Sequence, residues 1–272
     1  RRMRNLVDFQ DSRRAFDSVD VAGGICYFLW DRDHNGDCDV ESHDVSGAVS
    51  RSTRPLLEEG VDIFVRSNEG LEVLRKVVQV ETGSPGVTLP PDKRFDGQVS
   101  GQKPFGLRTY FRGRSKPSGP DDIEVLQSGG RAWMSRSEIE EGLALVDKWK
   151  VFTSKSSSEH AGQADRNGMR RVLSLSGVLP PGTAVTETYV LLGTFETEAE
   201  ARNCYSYAAT KFFRYLVATR TSAQDLPRSA YSFVPVQDFS QPWTDVELNA
   251  KYGLSADEVG RIDATIRPLE IS

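Results

Sequence analysis

The sequence predicts an α+β protein, and three observations carry that expectation. The first is an unbroken apolar run of strand length, Ile25-Cys-Tyr-Phe-Leu-Trp30, introduced by Gly23-Gly24. The second is a set of short strand-like runs elsewhere, among them Trp149-Lys-Val-Phe-Thr153 and Glu187-Thr-Tyr-Val-Leu-Leu192. The third is a series of Ser/Thr-x-x-Glu boxes, the local signature of a capped helix start. With 272 residues, 38% hydrophobic and 27% charged, the chain is long enough for one large domain or two ordinary ones. Folding then buries roughly 70 to 75% of the unfolded surface without disulfides or a structural metal.

Taken in order, Asn5-Leu-Val-Asp-Phe9 reads as a strand. It lies so close to a first residue that is not methionine that the chain is expected to be cut from something longer. Ile25–Trp30 is expected to be buried on both faces of a sheet. Asn35-Gly36 then favours a type I′ hairpin turn, so residues 1–47 are expected to form a sheet with a hairpin, and 48–272 a single mixed α/β domain. Ser67-Asn-Glu69 opens a helix whose buried face is Leu71, Leu74, Val77 and Val78. From Gly83 to Gly130 the chain is rich in Gly, Pro and Ser and reads as a long loop. Ser135-Arg-Ser-Glu138 caps a stripe of Ile139, Leu143 and Val146. Arg171-Val-Leu-Ser-Leu175 is expected to be a strand pairing with Glu187–Leu192. Thr197-Glu-Ala-Glu200 starts one helix running through Ala201, Cys204, Ala208, Phe212 and Leu216, with Lys211 and Arg214 off that stripe. Boxes at Thr244–Glu247 and Ser255–Glu258 start two short helices.

No window approaches 18 consecutive apolar residues and the N-terminus lacks a signal-peptide pattern. An odd, sparse set of cysteines (Cys26, Cys38, Cys204) suits a reducing compartment, so a cytoplasmic location without membrane contact is expected. Several familiar chemistries do not complete. Asp31, Asp33, Asn35, Gly36, Asp37 and Asp39 match the early part of a calcium loop, but the twelfth position is Ser42 and the preceding run is strand-like. Cys26, His34, Cys38 and His43 offer zinc ligands, yet the expected hairpin holds Cys26 about 23 Å from the partner of Cys38. No Asp or Glu stands two residues before a Lys, so a metal-nuclease motif cannot be closed. His34, His43 and His160 lie near no strand-turn-helix nucleophile signal, and no Gly-rich loop opens a helix to cradle phosphate. Neither catalytic nor metal-binding residues are expected.

The charge distribution is more informative. The chain carries −5 overall, which disfavours a dedicated nucleic-acid binder. Between Lys93 and Lys116, however, Lys93, Arg94, Lys103, Arg108, Arg112, Arg114 and Lys116 face Asp96 alone, a local +6 on a remainder of −11. Phe105, Tyr110 and Phe111 are interleaved with these cations. Two readings stay open. In one, the cations neutralise phosphates or pair with guanine while aromatics such as Phe105 and Tyr110 stack on a base. In the other, the segment is a solvated loop whose aromatics fill a local core.

Four segments together resemble a known family: Phe16-Asp-Ser-Val-Asp-Val-Ala-Gly-Gly-Ile-Cys-Tyr-Phe-Leu-Trp-Asp-Arg-Asp33, Lys103-Pro-Phe-Gly-Leu107, Phe233-Val-Pro-Val-Gln-Asp-Phe-Ser-Gln-Pro-Trp-Thr-Asp245 and Lys251-Tyr-Gly-Leu-Ser255. They are similar to the carboxyl part of type IIG-like restriction-modification adenine-specific DNA methyltransferases, and the likeness spans nearly the whole chain. The resemblance implies that residues 1–47 are a remnant of the methyltransferase sheet and that 48–272 are a target-recognition domain. The family's cofactor is S-adenosylmethionine. Its Asn/Asp/Ser-Pro-Pro-aromatic motif is missing, since the two Pro-Pro pairs are Leu89-Pro-Pro-Asp92 and Leu179-Pro-Pro-Gly182, and the Gly-rich cofactor loop is missing too. The expected function is therefore non-catalytic recognition of double-stranded DNA, with no cofactor in this chain. A protein-interaction module is the alternative, docking on a separately encoded methyltransferase or nuclease subunit through a sheet edge near Asn5–Phe9.

Overall fold

A computed structural model describes residues 2–18, 21, 23–44, 47–157, 164–165, 168–221 and 224–269. It is an α+β arrangement of three small sheets, two mixed and one antiparallel, and six α-helices among the described residues.

The first sheet comprises β1 (Met3–Phe9), β2 (Ile25–Trp30), β3 (Cys38–His43) and β4 (Val49–Arg54), in the order β2-β1-β3-β4. It therefore runs past position 47 to Arg54. β1 is antiparallel to β2 and parallel to β3, so the expected β2-β3 hairpin does not form. Neither Asn35 nor Gly36 has the positive φ that a type I′ turn requires. Their segment instead crosses the end of β1, where the Asp31 N–H donates to the Arg2 carbonyl. β1 wins the central place because Leu6 packs against Val40 and Cys38 on one face. It also brings Asp8, a buried carboxylate, against Arg66, whose guanidinium donates to both Asp8 oxygens at 2.9 Å. Gly24 sits at φ +78, and a Cβ there would lie 2.1 Å from the Phe9 carbonyl, so the chain can enter β2 only through glycine. The expectation that β2 is buried on both faces is overturned: it is the edge strand, and Cys26 to Trp30 are all exposed.

α1 (Asn68–Thr82) has its expected form. Ser67 accepts from the Gly70 N–H, Gly83 closes the helix at φ 72, and Leu71, Leu74, Val77 and Val78 are buried. The irregular stretch that follows is shorter than its composition suggested, because β5 (Asp122–Gln127) and β6 (Gly130–Ser135) form an antiparallel hairpin with Gly129 and Gly130 at positive φ. The Ser135–Glu138 box caps only a 3-10 turn, and a separate short helix, α2 (Leu143–Val146), follows from Gly142. Ile139 and Val146 are buried while Leu143 is exposed.

β7 (Trp149–Ser154) lies between β8 (Ser176–Leu179) and β10 (Tyr189–Phe195), and β9 (Thr183–Val185) adds in parallel to β5. Arg171–Leu175 is not a strand: Val172 is buried at φ 68, outside any extended conformation, and the strand begins at Ser176. It pairs with β7 and not with β10.

The helix expected from Thr197 through Leu216 is two, α3 (Glu198–Ala209) and α4 (Lys211–Arg220), broken at an extended Thr210. Thr210 caps α4 by accepting from the Phe213 N–H. Asp245 at the start of α5 (Asp245–Lys251) accepts from the Lys211 and Phe212 N–H groups. Two acceptors on three orphan donors make the break favourable. Arg214 is not off the buried stripe: it is fully buried and donates to the carbonyls of Ala209, Thr210, Arg171 and Arg267. α6 (Ala256–Thr265) closes the chain from its capping box.

The largest core joins α1, α3 and α4 to Phe95, Tyr231 and Tyr252, and a second gathers Phe105, Ile123, Val125, Met134 and Leu191 around the β5 hairpin. Among the described residues no helix is long and apolar enough to cross a membrane.

Candidate nucleic-acid interface

The basic segment is held as irregular backbone by contacts at both of its ends. Arg94 forms an isolated bridge with Pro235, and the Val236 N–H donates to the Lys93 carbonyl. Further on, Arg114 exchanges two backbone hydrogen bonds with Trp133 on β6, at 2.7 and 2.9 Å. The approach needs Gly113, whose Cβ would lie 2.7 Å from the Trp133 carbonyl oxygen. In between, Phe105 and Leu107 anchor the chain in the second core. Phe105 is fully buried, so of the two roles open to it from sequence it takes the structural one and offers no face to a base.

The seven cations divide into two groups. Three are held by carboxylates. Arg94 grips Asp96 through two hydrogen bonds of 2.9 and 2.6 Å, and that bond raises the guanidinium pKa further. Arg114 donates to Asp122 at 2.6 Å and lies 3.6 Å from Glu138. Asp122 is held below the usual carboxylate range first by the Ser118 N–H at 2.5 Å and then by Arg114. Arg108 reaches Glu187 at 3.5 Å, long for a charge-assisted bond.

The other four, Lys93, Lys103, Arg112 and Lys116, meet no carboxylate within 4.0 Å among the described residues. Arg112 donates instead to the Thr109 and Phe111 carbonyls at 2.9 and 2.7 Å, which aims one side of its guanidinium inward and leaves the rest in solvent. Lys103 takes φ 55, a conformation that turns the chain sharply before Pro104. Arg112 and Lys116 are exposed, whereas Lys93 and Lys103 are half-buried. Once Arg94, Arg108 and Arg114 are paired, a charge of +4 remains on four side chains.

Tyr110 projects into solvent with 80% of its surface exposed. With Phe105, Leu107, Arg108, Met134, Glu138 and Glu140 it lines an open groove of about 290 Å³. Glu138 and Glu140 are not readable from sequence as part of this site. Glu138 announces itself there only as the third residue of a capping box, which it also is.

Among the described residues no group of three or more His, Cys, Asp or Glu side chains is placed to hold a metal ion. His34 and His43 are engaged locally, with the Asp37 carbonyl and with Glu41, and His160 lies outside the described residues. Cys26 and Cys38 fall on opposite flanks of β1, the first exposed and the second buried. Compared with known proteins, the chain matches no protein-family model and no curated protein.

Proposed function

We propose that the chain recognises double-stranded DNA as the target-reading part of an adenine-specific restriction-modification methyltransferase, and that it performs no chemical step itself. The observation that carries this reading is the set of four cations, Lys93, Lys103, Arg112 and Lys116, left without carboxylate partners on one irregular segment of a chain that is acidic elsewhere. Each can neutralise a phosphate and release its counterion, which supplies affinity without sequence preference. Arg108 deepens this toward base reading, because its long contact with Glu187 is readily exchanged for the O6 and N7 acceptors of guanine. Tyr110 offers a free aromatic face beside it. The methyltransferase class comes from the resemblance of the segments around Gly23-Gly24, Lys103–Leu107 and Phe233–Asp245. The sequence holds neither the Gly-rich loop nor the Pro-Pro-aromatic motif that S-adenosylmethionine and the extruded adenine need, so cofactor and methyl transfer belong to another part of such an enzyme. In this role the chain works in the bacterial cytoplasm, in defence against foreign DNA. The test is fluorescence anisotropy with a random-sequence duplex at several salt concentrations; absence of binding at low salt removes the proposal.

A further inference from the structure

The two edges of the first sheet are built differently. β4 carries Arg51 and Arg54, charges of the kind that discourage another strand from adding. β2 carries no charge between Ile25 and Trp30, no proline and, among the described residues, no strand on its outer side. Tyr27, Phe28, Leu29 and Trp30 are 62, 57, 52 and 54% exposed. Because successive residues of a strand point to opposite faces, this exposure covers both faces of the sheet at that edge and not a single apolar patch. Natural sheets rarely leave such a strand uncovered.

We propose that β2 is a self-association edge, pairing antiparallel with β2 of a second copy across a two-fold axis and joining two four-stranded sheets into one. The occupant must supply an unprotected strand edge that is apolar on both faces, and among the described strands β2 itself is the one that fits. β6 is bridged by Arg114, the four-residue β8 opens on Ser176-Gly177 and buries Leu179, and β9 and most of β10 are buried. Antiparallel self-pairing is isologous, so each copy gives and receives the same backbone groups. With the axis at Phe28 and perpendicular to the sheet, Tyr27 of one copy faces Leu29 of the other and Cys26 faces Trp30, so no charge is buried. The exposed side chains amount to roughly 400 Å² per copy, taking about 200 Å² for a fully exposed aromatic. Edge pairing covers only part of that area, so the interface stays below the roughly 1,000 Å² of a stable complex and corresponds to a weak, reversible, concentration-dependent dimer.

Light scattering and sedimentation equilibrium of the 272-residue chain, under reducing conditions and across a wide concentration range, read this directly. The expected result is a concentration-dependent rise from monomer to dimer mass. Phe28→Lys should shift that midpoint upward at least tenfold while the circular dichroism spectrum and melting temperature stay unchanged, because the side chain is more than half exposed. Tyr27→Glu and Leu29→Lys, made in separate chains, provide a second arm that survives any misfolding of the first variant. Each alone should weaken association. Their mixture should restore it, because the carboxylate introduced at position 27 of one copy then faces the ammonium introduced at position 29 of the other. A monomer at every concentration overturns the proposal and leaves the edge to a different protein. So does a dimer indifferent to all three substitutions, or a mixture no tighter than either variant alone.

Discussion

Removing two of the four unpartnered cations by Arg112→Gln with Lys116→Gln probes the DNA reading most cleanly. Both side chains are exposed and neither holds a carboxylate, so the substitution leaves no buried acid behind and should not alter the melting temperature. If all four cations contact phosphates, the logarithmic salt slope of binding is about −3.6, and affinity falls roughly 150-fold between 50 and 200 mM salt. With two contacts removed the slope drops to about −1.8, and the same salt change costs about 12-fold. Arg114→Gln is the internal contrast. Its charge is already committed to Asp122 and Glu138, so the slope should change by less than half as much while the loop anchored on β6 loosens. The measurement is anisotropy titration of a labelled random duplex, wild type beside both variants. Identical slopes for the wild type and the double variant would refute the argument that unpaired cations are the phosphate contacts.

Calorimetric titration with S-adenosylmethionine should give no saturable heat, since the chain lacks the cofactor loop; a stoichiometric isotherm would reveal a site that sequence and geometry both miss. Lys150 is buried, with its ammonium donating to the Leu145, Val146 and Lys148 carbonyls, and burial pushes its pKa down to about 7. The unfolded chain then binds more protons than the folded one between about pH 7 and 10.4, so this group's contribution to stability is fully present above that window and is lost as pH falls through 7. Urea unfolding from pH 7 to 10 should show wild-type stability rising relative to Lys150→Met; parallel curves would mean that the ammonium stays charged in its ring of carbonyls. Asp245→Ala removes the acceptor for two N–H groups of α4 and should cost about 1–2 kcal/mol, read as a drop of a few degrees in the thermal midpoint.

Features that neighbouring residues decide among themselves are legible in the sequence. α1 is one, because its cap, its apolar face and its terminal glycine all lie between Ser67 and Gly83. The boxes at Thr197, Thr244 and Ser255 likewise close over three residues each. The basic segment could be found by counting charge. Which of its cations are free could not, since the acids that neutralise Arg108 and Arg114 arrive from Glu187 and Asp122 on other parts of the fold. An Asn-Gly pair was a sound local reason for a hairpin, yet β1, well upstream in the chain, offers two open edges and takes both β2 and β3. A continuous helix across Thr210 was consistent with the apolar spacing until Asp245 supplied acceptors for a new N-terminus. The assembled fold, and nothing local, makes β2 an exposed edge. An apolar run records only that a strand wants cover, and whether it finds cover depends on which other strands and helices are there to provide it.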